Sequence, residues 1–261
     1  MNIPMYQIDA FTSEPFKGNP AAVCIFEEWP EDFVLQNIAA ENNLAETAFI
    51  IATETGYDLR WFTPEVEMDL CGHATLASAY VVFRFLQPDW KTVSFQTASG
   101  ELIVALQDNG KLSMDFPARA PEQMAVSDEL STALGQVPLE AWQSRDLLVL
   151  LESEQAVQDF QPDMVKLATL KDHFAVIITA QGDEVDFVSR FFAPNAGIPE
   201  DPVTGSAHCT LIPFWAERLH KNTLHARQLS PRTGELFCEY NGERVSMSGY
   251  ATLFMRGEIY I

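Results

Sequence analysis

Gly72-His73-Ala74-Thr75-Leu76 and, later, Gly205-Ser206-Ala207-His208-Cys209-Thr210-Leu211 are the stretches on which the fold turns. Each opens with a glycine and small residues, and each follows the same succession of signals. Phe49-Ile50-Ile51-Ala52-Thr53, a turn, Arg60-Trp61-Phe62-Thr63-Pro64 and an acidic loop precede the first. Val176-Ile177-Ile178-Thr179, a turn, Arg190-Phe191-Phe192-Ala193-Pro194 and an acidic loop precede the second. Downstream, Ser99-Gly100-Glu101-Leu102 is answered by Thr233-Gly234-Glu235-Leu236, and Asn109-Gly110 by Asn241-Gly242. The four offsets are 130, 133, 134 and 132 residues. Recurring turn vocabulary explains one such match but not an ordered series at near-constant spacing, so the chain reads as an internal duplication.

The rest of the sequence fits two copies of one α+β unit. A chain of 261 residues is long enough for roughly two domains. With 47% hydrophobic residues, 18 Phe and 5 Trp, it has the material for packed cores, which excludes disorder. Pro30-Glu31-Asp32 has the look of a helix start, Val34 and Ile38 lie one turn apart, and the helix should fade at Asn42-Asn43. Thr47 to Ile51 suggests a strand, which puts Glu46 at a helix-to-strand junction. A buried helix is expected from His73 to Leu86, stopped by Pro88. Strands follow near 93–97, 102–106 and 112–116, with Asn109-Gly110 supplying positive-φ positions for a tight hairpin. Pro117 to Pro121 is the natural linker, so the expected lobes are residues 1–116 and 117–261, and the strand from Glu258 could cross back to the first lobe.

Charge and cysteine usage narrow the function. Thirty-seven acidic against 16 basic residues leave a net charge of −21 and no basic cluster, which excludes a nucleic-acid partner. The start lacks a basic leader with a long apolar core, and the apolar run 77–86 is short and holds Arg84, so neither signal peptide nor membrane span is expected. Cys24, Cys71, Cys209 and Cys238 form no CxxC pair, and the histidines have no metal-ligand spacing; no metal is expected. The expectation is a cytoplasmic protein with reduced thiols.

With few cations available, an anionic ligand would be held by backbone dipoles. Both glycine-led helix starts offer unpaired N–H groups and a partial positive charge that bind carboxylates, and small residues let the ligand come close. Two matched helix starts facing an interdomain cleft are the expected paired site.

Gly18-Asn19-Pro20, Asn43-Leu44-Ala45-Glu46-Thr47, Cys71-Gly72-His73-Ala74-Thr75 and the specific run Glu200-Asp201-Pro202-Val203-Thr204-Gly205-Ser206-Ala207-His208 resemble the phenazine-biosynthesis PhzF-like isomerase family. The resemblance runs from the N-terminus to the final strands. It implies the two-lobed diaminopimelate epimerase-like fold, each lobe a mixed β-sheet wrapped around a central helix. It also implies a cofactor-free isomerase, a homodimer, in which Glu46 moves a proton between carbons of a small acid. Gly72, His73, Asp201, Gly205 and Ser206 would bind substrate, with Asn19 beside them or simply holding a turn. The phenazine enzyme has Ala-Gly-His-Pro where this chain has Cys71-Gly72-His73-Ala74, which points to the broader family rather than to the phenazine substrate.

On the residues themselves, Glu46 suits the role because a carboxylate shielded from water can take and return a proton. Nearby helix N-termini would stabilise the enolate-like charge formed when a C–H bond breaks. His73 serves as a donor to that charge or as a helix-start cap; Asp201 orients a substrate amine or hydroxyl or caps its helix; Ser206 is a common cap type. A two-thiol racemase needs facing cysteines on both helix starts, but the position equivalent to Cys71 is Thr204, which leaves Cys71 as a packing residue. No G-x-S-x-G elbow or Gly-rich nucleotide loop is present. The reading from a different class is a non-catalytic small-molecule binder on the same scaffold.

Overall fold

The computed structural model describes residues 2–261; Met1, which begins the expected first lobe, lies outside them. The chain divides into two compact units, Met1–Asp115 with Ser248–Ile261, and Phe116–Met247.

The first unit runs β1 (Asn2–Ala10), β2 (Asn19–Phe26), α1 (Asp32–Asn42), β3 (Glu46–Ala52), β4 (Tyr57–Phe62) and β5 (Glu67–Met68). It continues with α2 (Gly72–Val81), β6 (Thr92–Thr97), β7 (Gly100–Leu106) and β8 (Leu112–Pro117). The second unit holds β9 (Glu122–Met124), α3 (Asp128–Leu134), β10 (Glu140–Gln143), β11 (Leu147–Leu150), α4 (Glu154–Asp159) and α5 (Met164–Leu167). Then come β12 (Val176–Gln181), β13 (Phe187–Ala193), β14 (Ile198–Asp201), α6 (Gly205–Leu219), β15 (Thr223–Gln228), β16 (Gly234–Tyr240) and β17 (Arg244–Gly249). The last strand, β18 (Ala251–Tyr260), lies antiparallel to β1 in the first unit.

The pairing senses repeat. In the first unit β1–β2 is antiparallel, β2–β3 parallel, β3–β4 antiparallel, β4–β6 parallel and β6–β7 antiparallel. In the second, β10–β11, β11–β12, β12–β13, β13–β15 and β15–β16 follow the same succession. Register repeats as well: Arg60 faces Phe49, and Arg190 faces Ile178. Both arginines then close on the acidic loop that follows. Arg60 donates from Nε and Nη2 to Glu67 at 2.6 and 2.7 Å, and Arg190 to Glu200 at 2.7 and 3.0 Å. These two-pronged contacts fix the loop leading to each central helix.

Each unit is built on one buried helix. From His73 to Val81 every residue of α2 except Tyr80 is buried, and the helix packs against β1, β2 and β3. Such burial favours small side chains and requires partners for the hydroxyls along the helix. Thr75 and Ser78 return their hydroxyls to the carbonyls of Cys71 and Ala74. The expected helix 73–86 is therefore present, but Val82–Leu86 continues it with the wider π repeat. In α6, Pro213 lies inside the helix and cannot donate to the carbonyl four residues back. That carbonyl, of Cys209, accepts instead from the Arg119 amide at 2.8 Å. The helix keeps its proline because the segment after β8 supplies the missing donor.

Local signals act largely as expected. Helix α1 ends with Asn43 in the left-handed region, φ 48°, its N–H bonded to Ala39. Asn42 Nδ2 then donates to Thr47 Oγ1 at 3.1 Å, so the turn delivers Glu46 to the first position of β3. The hairpin at Asn109-Gly110 differs from expectation: only Gly110 has positive φ. The Gly110 N–H bonds Gln107 and the Gln107 N–H bonds Lys111, a longer loop with one left-handed residue rather than a two-residue turn.

Candidate active site

Four side chains meet at the start of α2. His73, the second residue of the helix, is buried, and its ring is engaged on both nitrogens. Nε2 lies 3.0 Å from Glu46 Oε2, off the line of an ideal N–H···O bond, so the contact is an ion pair rather than an aligned hydrogen bond. On the opposite edge, Asn19 Nδ2 lies 3.2 Å and Cys71 Sγ 3.5 Å from Nδ1. Both ring nitrogens therefore meet polar groups of the chain.

The electrostatics favour a charged ring. Burial opposes the imidazolium, and Cys71 and Glu46 beside it outweigh burial and hold His73 well above its ordinary 6.5. Burial also pushes the Cys71 thiol up.

The structure bears on three roles read from the sequence. His73 does not cap its helix; Cys71 occupies the N-cap, with extended backbone at φ −142°. Cys71 is not simply packing, since its sulfur touches the imidazole; its place directly before Gly72-His73 was the available signal. Asn19 does more than hold a turn. It begins β2 fully buried and pairs with Ala10 of β1, which brings its amide to His73. Glu46, Cys71 and His73 also place a carboxylate oxygen, a sulfur and a ring nitrogen within 4.8 Å of one another, a geometry able to hold a metal ion. Yet Cys71 and Glu46 approach opposite edges of one ring, and burial pushes the thiol up. The donor set fits a chain of acid–base contacts through the imidazole better than one ion's shell.

Asp201, Gly205 and Ser206 gather at the start of α6 in the second unit. Here the N-cap is Thr204, not Ser206, with φ −115°. The Thr204 hydroxyl donates to Asp201 Oδ2 at 2.5 Å, and its amide donates to Gln228 Oε1 at 2.8 Å. Gln228, fully buried, returns its Nε2 to the Asp201 carbonyl at 2.8 Å and to Thr204 Oγ1 at 3.1 Å. Sequence reasoning missed Gln228, because nothing local marks a residue that closes a lock from the next strand. Cys71 and Thr204 hold equivalent N-cap positions, so the second thiol of a two-thiol racemase is absent from the α6 start. Cys209 sits a turn later, where burial pushes its thiol up to about 11.

His208 sustains the same helix start. Its Nδ1 donates to the Thr204 carbonyl at 2.8 Å, and burial holds its pKa down to about 4. A histidine kept neutral in this way is protonated first in the unfolded chain, near 6.5. Stability is therefore full above about pH 6.5 and is lost as pH falls toward 4, by up to about 3 kcal/mol. Urea unfolding at about pH 7.5 and about pH 4.5 checks this linkage. His208→Gln should shrink the difference between the two pH values, whereas an equal difference in both proteins would assign the loss elsewhere.

The family model for phenazine biosynthesis-like proteins (PhzC-PhzF) matches residues 8–257. The chain belongs to that family. An uncharacterized isomerase of Pseudomonas aeruginosa is 50% identical over 99% of each chain. The crystal structure of a PhzF-family protein from Enterococcus faecalis superposes with a TM-score of 0.97 at 49% identity, covering 100% of both chains. A hydroxyproline epimerase from Agrobacterium vitis, solved with trans-4-hydroxy-L-proline bound, has a TM-score of 0.65 at 8% identity over 99% of this chain and 92% of its own. At that identity it shows a shared fold: the PhzF-like, epimerase-like architecture of two α+β units. No helix among the described residues is long and apolar enough to cross a membrane.

Proposed function

We propose that this PhzF-family chain is an isomerase that moves a proton between carbons of a small carboxylic acid, with Glu46 as the acid/base. The observation that carries the reading is the 3.0 Å contact between buried Glu46 and His73 at the α2 start. Glu46 takes a proton from carbon, the electron pair shifts into the adjacent π system, and the same carboxyl returns the proton to a second carbon. Atoms and charge balance with no redox partner, and the acid, the base and the charge stabilisers are all groups of the chain. His73 as imidazolium and the first-turn amides of α2, beginning at Gly72, face the anionic intermediate. Asn19 orients the ring. For Asp201, Gly205 and Ser206 the proposed role is ligand binding by the α6 start. Relatives named isomerases support the reaction class.

Incubating the protein in deuterium oxide with a panel of unsaturated, hydroxy and amino acids tests the proposal. An isomerase labels at least one acid at carbon, and Glu46→Gln stops the labelling. A protein that binds one of these acids without labelling it is a passive binder, and the reading fails.

A further inference from the structure

Arg60 spends its fork on Glu67 and Asp32, and Arg190 spends its fork on Glu200 and the carbonyls of Val157 and Phe160. Arg145, in the turn between β10 and β11, is engaged less fully. Its Nε donates to Asp146 Oδ1 at 3.2 Å, its Nη2 donates to Ser206 Oγ at 3.4 Å, and its guanidinium stacks 4.5 Å from the centroid of Phe174. The side chain is nonetheless 41% exposed. A long cation fixed on three sides has already lost most of its rotamer freedom, a cost otherwise met on binding. Ser206 is the second residue of α6, so this cation stands beside the helix's first-turn amides.

A second observation marks the same place. Asp146 is fully buried, and its Oδ2 has no hydrogen-bond partner. Arg119 Nη1 and His173 Nδ1 are likewise buried without partners. Burial raises the Asp146 pKa, and Arg145, Arg119 and His173 all oppose it, which places the four groups in one electrostatic cluster. Arg119 is anchored there by its amide on Cys209 of α6. Two guanidinium charges beside a single buried carboxylate make a positive patch in a chain of net charge −21. Unpaired buried polar atoms normally find partners, so Arg119 Nη1 marks donor capacity still open in this cluster.

We infer that Arg145, with the first-turn amides of α6, binds a carboxylate of the ligand and selects acids over their neutral amides. The inference rests on the proposed binding role of the α6 start and deepens it. An arginine fork matches a carboxylate with parallel N–H···O bonds, and an uncharged isostere leaves that fork unpaired. The anion is taken to be a carboxylate because the proposed reaction acts on a small carboxylic acid, and phosphate is the competing occupant that the test separates.

The test uses the full-length, ¹⁵N-labelled chain titrated with malonate, its neutral isostere malonamide, and inorganic phosphate. Malonate should shift the amides of Gly205, Ser206 and Ala207 and the Arg145 Nε–H saturably, and malonamide should not. Arg145→Gln should weaken malonate by about tenfold or more, and Arg145→Lys by less. Because the side chain is partly exposed, both variants should keep the wild-type spectrum away from the patch. Unchanged malonate affinity in Arg145→Gln, equal shifts from malonamide, or phosphate binding in preference to malonate would each overturn the assignment. Glu46→Gln separates this inference from the isomerase reading. If that variant still exchanges carbon-bound protons, the reaction assignment falls and the malonate result stands; if exchange is normal and malonate is silent, only Arg145 loses its role.

Discussion

Glu46→Gln is expected to reduce proton exchange at the substrate carbon by about a thousandfold or more, with the fold and ligand binding retained. The substitution keeps shape and removes only the ability to accept and return a proton. Glu46 is 8% exposed, so no water-borne base replaces it readily. The structural consequence should be mild, because His73 can adapt by giving up its charge. Its pKa is held up by the neighbouring carboxylate against burial, so without that carboxylate the ring titrates lower. The sign for stability follows. A raised histidine contributes stability that is present below its unfolded pKa and lost as pH rises through the folded value. Glu46→Gln should flatten that alkaline decline. Exchange rates by mass spectrometry and a ¹⁵N titration of His73 read both effects. Retained turnover with an unshifted His73 would remove the pair from the chemistry.

Gly18→Ala is expected to cost the first unit about 4 kcal/mol or more. Gly18 has φ +64°, and a Cβ there would lie 2.1 Å from the Ala10 carbonyl oxygen and 2.8 Å from Thr12 Cγ2. The left-handed backbone alone costs an L-residue roughly 1–2 kcal/mol. The overlap with a backbone oxygen adds more, because no rotamer change relieves it. Ala10 pairs with Asn19, so moving the strands apart also withdraws the amide from His73. Gly110→Ala is the control: φ is +85°, but nothing lies within 4 Å of its Cβ, so only the smaller backbone term applies. Urea midpoints of the two variants should differ widely. Matched losses would mean that the close approach at Gly18 carries no energy.

What could be read from sequence was whatever is encoded within one turn or one strand. The end of α1 is marked by Asn43, which tolerates the left-handed region, and the helix starts by Gly72 and Gly205 with small neighbours. Glu46 and His73 could be named as candidates, but their 3.0 Å contact is made by α2 packing against β3, which neither segment encodes alone. Glu200, quoted only as part of a motif, proves to be the clamp for Arg190. Gln228, Arg119 and Arg145 carried no local signal, since each reaches its helix from a distant part of the chain. The hairpin at Asn109-Gly110 was misjudged in detail because Asn-Gly is compatible with more than one loop length, and pairing from Leu106 to Leu112 selects the longer.

The most direct measurement is a crystal structure of Glu46→Gln with whichever acid the wild-type protein labels from deuterium oxide. The labelled carbon should lie within about 3.5 Å of the Gln side-chain amide, with the acid's π system turned toward the start of α2. Density for the same acid bound away from position 46, beyond the reach of one bridging water, would contradict the assignment of proton transfer to this glutamate.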